Sequence, residues 1–463
     1  MSTRQLHLNV NANALGRAPG GWRLRDDPLG FVDIAEWEKL GRTAERGLLD
    51  AVFLAETHGF AQQDFTRPWN ALDPFVVLTA IARATTHVGL VATVSSTYRH
   101  PYHIARLASS LDLVSGGRAA INVVTTQSTR AGAQFGLDAH PDRDARYGRA
   151  DEAISVIKAL WQSWDPDALV GDQDSGELTD LARVREVEHT GEHLRLRTWY
   201  QVPRSPQGHP VVLQAGASPQ GIDLAAKYAD AVFCAEHSLQ QGRDFARRVR
   251  SRARDVYGRD PDEVLILPGL WPVLGSTEAE ARERRDLLAS LSTDDTDALA
   301  SLAAQLGLPV DSLRPDRQPP WDLIDSPGWK PSSHGFATSV LQTARNENLT
   351  VRDLLERHIA GGGHRMVVGT PEQVADEIEA FFTAGAADGF NLNHDFYPDG
   401  LDLIVDQLVP ELQRRGIFRR EYESTTLRGH LGLRIPASSS PATAAPELAP
   451  APAPPRRVRT RRP

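Results

Sequence analysis

From residue 88 to residue 126 the chain reads as an apolar strand, a polar loop, an amphipathic helix, a glycine stop and a second apolar strand. The first run, 88–93, is continuous, apolar and rich in β-branched residues, which suits a strand buried on both faces of a parallel sheet. His100-Pro101 opens the helix, with proline in the first turn where its missing N–H costs nothing. Ile104, Leu107, Ala108 and Leu111 then recur at i, i+3, i+4 and i+7, one stripe facing the sheet. Ser115-Gly116-Gly117 ends the helix, and 119–124 forms the next strand. Two parallel strands joined by a crossover helix exclude all-β and all-α folds. The unit also gathers Thr93, Ser95, Ser96 and Asn122 at the carboxyl ends of its strands, where α/β folds bind their ligands.

The same alternation runs through the chain. Strands are expected at 6–10, 50–54, 88–93, 119–124, 211–214, 231–233, 264–270 and 388–392. Between them lie helices at 33–46, 73–84 and 144–164, the last with Ala150, Ile154, Ile157 and Trp161 on its buried face. Thr370-Pro371-Glu372-Gln373 is a capping box with proline at the first helical position, opening a helix that stops at Gly385. Eight strands separated by helices predict an α/β fold, a (β/α)8 TIM barrel. Its insertions follow strands 4 and 7: an irregular stretch at 165–208 with room for a small hairpin, and a helical, Pro-rich segment at 276–363. Residues 1–435 are thus expected to form one barrel domain. Residues 436–463 turn to Pro, Ala and Ser and end in arginines, a composition that cannot bury a core, so a disordered, solvated tail is expected, with contact of its arginines to RNA or an acidic partner as the alternative.

A chain of 463 residues, 41% hydrophobic, can bury one large core. Its net charge of -9 argues against a nucleic-acid partner. The one cysteine, Cys234, excludes an intramolecular disulfide and sits in an apolar run, so a buried, inert thiol in a reducing compartment is expected. No apolar run approaches the ~18 residues of a membrane helix, and the first ten residues read as a strand rather than a signal peptide. A soluble, cytoplasmic protein with no membrane partner is expected.

Metal ligands and nucleophiles are poorly represented. There is no His-Glu-x-x-His, no paired cysteine, no nucleophile elbow and no Rossmann glycine fingerprint, and no metal is expected. His100 and His103 suit a cap or a surface. Asn391, Asn393, His394 and Asp395 fit a polar barrel rim, with metal or substrate binding as the alternative. Gly361-Gly362-Gly363 reads as a flexible connector. The best anion site is Gln214-Ala215-Gly216-Ala217-Ser218-Pro219-Gln220-Gly221: it follows a strand, and Ser218 caps a helix whose free N–H groups and dipole favour a phosphate. A plain capped turn would look similar. Glu56, at the end of the second strand, is a carboxylate that needs a partner such as Arg67 or Arg99 if buried. Tyr147 sits near a helix start at the same face, as a site residue or a half-buried aromatic. No catalytic side chain is identified.

The segments VATVSSTYRHPYHIAR, SLDLVSGGRAAINVVTT, DARYGRADEAISVIKALW, QAGASPQG and VVGTPEQVADEIEAFFTAGAADGFNL resemble the bacterial luciferase-like flavin monooxygenases. The resemblance covers residues 6–433 and points to the group of nitrilotriacetate, dibenzothiophene-sulfone and long-chain-alkane monooxygenases with the large subunit of pristinamycin IIA synthase. It implies a two-component enzyme that uses reduced FMN and O2 to oxidise a small-molecule substrate through a C4a-(hydro)peroxyflavin. The FMN would come from a separate NAD(P)H-dependent flavin reductase, and the subunit would pair or form tetramers. Carried across by position, Glu56 matches an acidic flavin contact. Thr93 matches the strand that meets the flavin ring, and Asn122 the asparagine of the next strand. Tyr147 matches a tyrosine near the cofactor phosphate, and Ala217-Ser218 the phosphate turn. A cis peptide at Ala92–Thr93 is the counterpart of one in related luciferases.

Three departures stand out. The usual His-Asp-x-Arg-Tyr is Arg143-Asp144-Ala145-Arg146-Tyr147 here, so either Arg143 holds the phosphate as a cation or His140 folds in to replace the histidine. The acidic residue is Glu56 where aspartate is usual. The early His-His-x-x-x-Trp-Arg pattern is reduced to a segment ending in Trp22-Arg23. The loop 125–142 and the insertion 276–363 are expected to be lid and substrate walls. Two alternatives stay open: an F420-dependent oxidoreductase of the same fold, and a flavin-binding protein without turnover.

Overall fold

The computed structural model describes residues 4–437 apart from 14, 67–68, 292–294, 332–333 and 356–363. Eight parallel strands close on themselves: β1 (His7–Ala12), β2 (Ala51–Leu54), β3 (Gly89–Ser95), β4 (Ala119–Val124), β5 (Val211–Ala215), β6 (Ala231–Cys234), β7 (Leu265–Leu274) and β8 (Gly389–Leu392). Each pairs in parallel with the next, and β8 pairs with β1, so the ring has no open edge. The expected (β/α)8 TIM barrel is observed, with its strands where the apolar runs lie.

The crossover helices are α1 (Ile34–Arg46), α2 (Pro74–Ala84), α3 (Pro101–Ser115), α4 (Arg143–Trp161), α5 (Pro219–Tyr228), α6 (Leu239–Tyr257) and α7 (Pro371–Thr383). Their starts follow the local chemistry. Asp33, Asp73, Asp142, Ser218, Ser238 and Thr370 each accept a backbone N–H of the first turn. His100 caps α3 through its ring, one of the roles open to it in the sequence. The stripe on α3 is shifted from expectation: Leu107 is 41% exposed, while Ala105 and Asp112 are buried beside Ile104, Ala108 and Leu111.

A repeated device pins the amino-terminal rim. Asp50, Asp230 and Asp388 each directly precede a strand, and each carboxylate accepts a backbone N–H of the neighbouring strand: Leu8 at 2.7 Å, Val212 at 2.9 Å and Ile266 at 2.7 Å. Each also meets an arginine, respectively Arg419, Arg428 and the pair Arg4 and Arg250. A buried carboxylate needs such partners.

The stretch 165–208 holds two antiparallel hairpins rather than one, Leu169–Asp172 with Glu177–Thr179 and Glu186–Thr190 with Arg195–Trp199. The segment after β7 begins with helix Glu278–Ser290 and has its own hydrophobic core, which includes Leu302, Leu306, Leu313, Val340, Leu341 and Leu354. An unexpected strand, Arg365–Gly369, returns from it along the outer half of β7. That pairing extends β7 to ten residues, beyond the seven its apolar run suggested. Among the described residues the cis peptide is Tyr397–Pro398, so Ala92–Thr93 is not cis; the luciferase feature does not carry over. Among the described residues no helix is long and apolar enough to cross a membrane. The Gly361–Gly363 connector and residues 438–463 of the tail lie outside the described residues.

Candidate functional site

Alternate residues of each strand point into the barrel. Phe53, Val91, Ala120, Leu213, Leu265 and Leu267 pack there as one apolar cluster, closed from below by Leu427, Leu431 and Leu433. At the upper, carboxyl end the same inward positions become polar. Asn122 Nδ2 donates to Thr93 Oγ1 at 3.1 Å, and Asn9 Nδ2 donates to Asn391 Oδ1 at 2.9 Å. Both pairs leave an acceptor, Asn122 Oδ1 and Asn9 Oδ1, buried without a partner among the described residues. Buried polar groups are rarely left so unless a ligand or water completes them.

A second polar corner lies where α4 and α5 begin. Ser218 Oγ accepts the Gly221 N–H at 3.1 Å and stands 3.2 Å from Tyr147 Oη. Gly216 keeps the space beside them open: a Cβ there would lie 3.1 Å from Gln214 Nε2 and 3.6 Å from Tyr147 Oη. Gln214 Oε1 is buried with no partner among the described residues. Ala217 is half-buried on the same turn. Arg143 opens α4, is half-buried, and has no ion-pair partner among the described residues. The corner therefore combines a helix N-terminus, two hydroxyls and a close-approach glycine, with Arg143 one turn before Tyr147 on α4, donors of the kind an anion takes.

His140, the alternative to Arg143, stands beside Tyr98, and its Nε2 is buried without a partner among the described residues. Its Nδ1 is 2.6 Å from Tyr98 Oη, and burial, then the Arg146 charge, lower its pKa. Arg146 is a site candidate the sequence reading lacks: Nη1 donates to the Pro141 carbonyl at 2.7 Å while Nε is buried without a partner among the described residues, and burial lowers its pKa. Its place between Arg143 and Tyr147 on the first turns of α4 was the available signal.

Glu56 is paired as expected, with Arg99 at 3.2 Å; Arg99 also meets Asp73 at 2.7 Å. Arg67, the other expected partner, lies outside the described residues. Glu56 Oε2 has no hydrogen-bond partner among the described residues and lies 3.6 Å from His58 Nε2. Burial raises the Glu56 pKa, against the pull of Arg99, and lowers that of His58. The His58 and Tyr98 rings pack on Phe135 from the β4 loop at 5.2 and 4.3 Å, joining three loops over the mouth. After β6, burial pushes the Glu236 carboxyl up to about 8, a site the sequence did not mark because nothing local shows its burial.

The rim cluster after β8 is tied into the protein itself. Asn393 accepts from Asn11 at 3.0 Å, His394 Nε2 lies 2.9 Å from the Asn13 carbonyl, and Asp395 pairs with Arg284. Among the described residues no group of three or more His, Cys, Asp or Glu could hold a metal ion.

A barrel with an anion corner and polar orphans at its mouth matches known proteins along nearly its whole length. The family model for luciferase-like monooxygenases matches residues 9–388. The chain belongs to the luciferase-like monooxygenases. It is 39% identical to nitrilotriacetate monooxygenase component A of Aminobacter aminovorans, over 95% of this chain and 98% of that one. It is 40% identical to dibenzothiophene-sulfone monooxygenase of Rhodococcus erythropolis strain XP, over 94% and 98%. The solved EDTA monooxygenase of Chelativorans sp. BNC1 superposes with a TM-score of 0.78 at 32% identity, over 94% of this chain and all of that one. The chain is thus a flavin-dependent monooxygenase.

Proposed function

We propose that this monooxygenase is the oxygenating component of a two-component system that binds reduced FMN and uses O2 to oxidise a small organic molecule. The observation that carries the reading is the corner formed by Ser218, Tyr147 and Gly216, beside buried polar atoms that lack partners. Ser218, Ala217, Tyr147 and Arg143 hold the phosphate. Thr93, Asn122 and Glu56 serve the ring. FMN when bound supplies the oxygen-activating chemistry, and a separate NAD(P)H-dependent flavin reductase supplies the FMN; the match to a protein designated component A supports a second component.

The chain's residues bind, orient and exclude water. Ser218 Oγ and Tyr147 Oη donate to phosphate oxygens, and the α5 N-terminus adds its dipole. Asn122 Oδ1 accepts from a donor at the mouth while Thr93 fixes the amide. Arg99 keeps one Glu56 oxygen occupied, so the other is the one that faces a ligand. The loop 125–142 and the insertion 276–363 close the site against water. Residues 1–435 act as one catalytic domain, in homodimers or homotetramers, with 436–463 as an appended tail.

The test supplies reduced FMN from NADH and a flavin reductase under 18O2, with nitrilotriacetate, dibenzothiophene sulfone and EDTA as substrates. One labelled oxygen atom in the oxidised product supports the reading. Product formed without label, or formed under anaerobic conditions, contradicts it.

A further inference from the structure

The inward positions of β7 are Leu265 and Leu267, both in the barrel cluster, and next in that register comes Gly269. A Cβ on Gly269 would collide with the imidazole of His364, Nδ1 first. The His364 ring therefore lies over the barrel interior, wedged against β7, and the missing side chain is what admits it. The ring centroid is 5.1 Å from that of Phe233 on β6, which is itself 5.4 Å from Phe53 on β2. His364 Nδ1 is buried with no hydrogen-bond partner among the described residues. Burial, then the Arg17 charge, lower its pKa to about 3, so the ring is neutral across the physiological range. Among the described residues no hydrogen bond fixes the ring in that place.

Position separates this ring from the flavin residues. Thr93 is on β3, and β7 stands four strands away on an eight-strand ring, across the mouth. His364 also arrives on the chain's return from the 276–363 insertion, just before the strand Arg365–Gly369 that lies along β7. Resting on the flavin reading above, we propose that His364 is a substrate-contacting residue: its Nε2, the nitrogen turned away from Gly269, meets a hydrogen-bonding group of the substrate, whose apolar body rests on the half-buried Phe233. The class of substrate is a small, largely apolar molecule with one polar group beside the atom that is oxidised. A neutral imidazole suits a neutral partner group, and Gly269 is the position that makes room for it.

The proposal is tested on the full chain with H364A, H364Q and wild type, reading three quantities. Flavin affinity comes from anaerobic titration with FMN. The His364 ring is followed by 15N NMR of histidine-labelled protein, with its signal assigned by its loss in H364Q. Steady-state constants are measured on dibenzothiophene sulfone, nitrilotriacetate and EDTA. The expected result is an FMN Kd within twofold of wild type in both variants and a His364 signal that FMN leaves in place. On the substrate that wild type oxidises best, kcat/KM falls at least thirtyfold in H364A, chiefly through KM, with partial recovery in H364Q. An H364A enzyme within threefold of wild type on every compound wild type oxidises overturns the proposal. So does a loss of FMN affinity that matches the loss of turnover, which would put the ring on the flavin. Wild type that binds no FMN contradicts the functional reading instead, and is seen in the first titration.

Discussion

Ser218 does two jobs with one oxygen, capping α5 through the Gly221 N–H and facing the anion corner with Tyr147. S218A should therefore lose about 1 kcal/mol of stability with its cap and bind FMN roughly tenfold more weakly, the value of about 1.4 kcal/mol. Riboflavin, which lacks the phosphate, should bind S218A and wild type alike; equal losses for both ligands would remove Ser218 from the phosphate site. Asp112 gives a pH test far from the mouth. It is buried, its Oδ1 accepts from Ala119 N and Gln207 Nε2, and Ser205 lies beside it; burial raises its pKa from 3.8 to about 6 against those polar contacts. An acid raised on folding binds its proton more tightly in the folded state, so its contribution is most favourable below the unfolded value and declines as pH rises from about 4 to 6. The decline is at most ~3 kcal/mol. Urea melts of wild type should weaken over that interval, and those of D112N, which keeps the accepting oxygen, should weaken less. Parallel pH profiles would contradict this. Ser218 and Glu56 were legible because a strand end, a cap and a lone charge are local signals, while Tyr147 entered through the family resemblance. His58, Arg146, Glu236 and His364 were not, because their burial and neighbours come from loops distant in the chain.

At the scale of elements, the strands announced themselves because a sheet covered by helices on its outside and filled within makes each strand a continuous apolar run. The exceptions have tertiary causes. Arg365–Gly369 becomes a strand only because the outer half of β7 offers it an edge, and Leu107 fits the helical stripe by spacing yet faces outward on the covered barrel. The cis peptide expected at Ala92–Thr93 came from resemblance alone, and the backbone of β3 runs without it. The Asp230–Arg428 pair tests how the amino-terminal rim is held. Burial opposes the Asp230 charge, but Arg428 and Lys158 outweigh it and bring its pKa to about 2. An acid lowered on folding stabilises the protein above its unfolded value, and that support is lost as pH falls from about 4 through 2. R428A leaves the carboxylate buried with less compensation and should cost ~3–5 kcal/mol at neutral pH, read by urea denaturation. A loss under 1 kcal/mol would mean the rim is held by packing alone.

For the whole molecule, the barrel and the insertion have separate hydrophobic cores. L341D, which puts a charge in the insertion core, should raise hydrogen exchange in residues 298–355 while the barrel strands stay protected and FMN still binds. Exchange rising equally in β1–β8 would show that the two cores unfold as one. The barrel was legible from its alternation, and the shape of the long connections after β4 and β7 was not, since irregular segments take their shape from what they pack on. The central claim is that the α5 corner holds the phosphate of reduced FMN. Its most direct test is anaerobic titration of the protein with reduced FMN, reduced riboflavin and reduced F420. Tight binding of FMN, at least thirtyfold weaker binding of riboflavin, and none of F420 is the predicted result; equal affinity for FMN and riboflavin, or preference for F420, would contradict it.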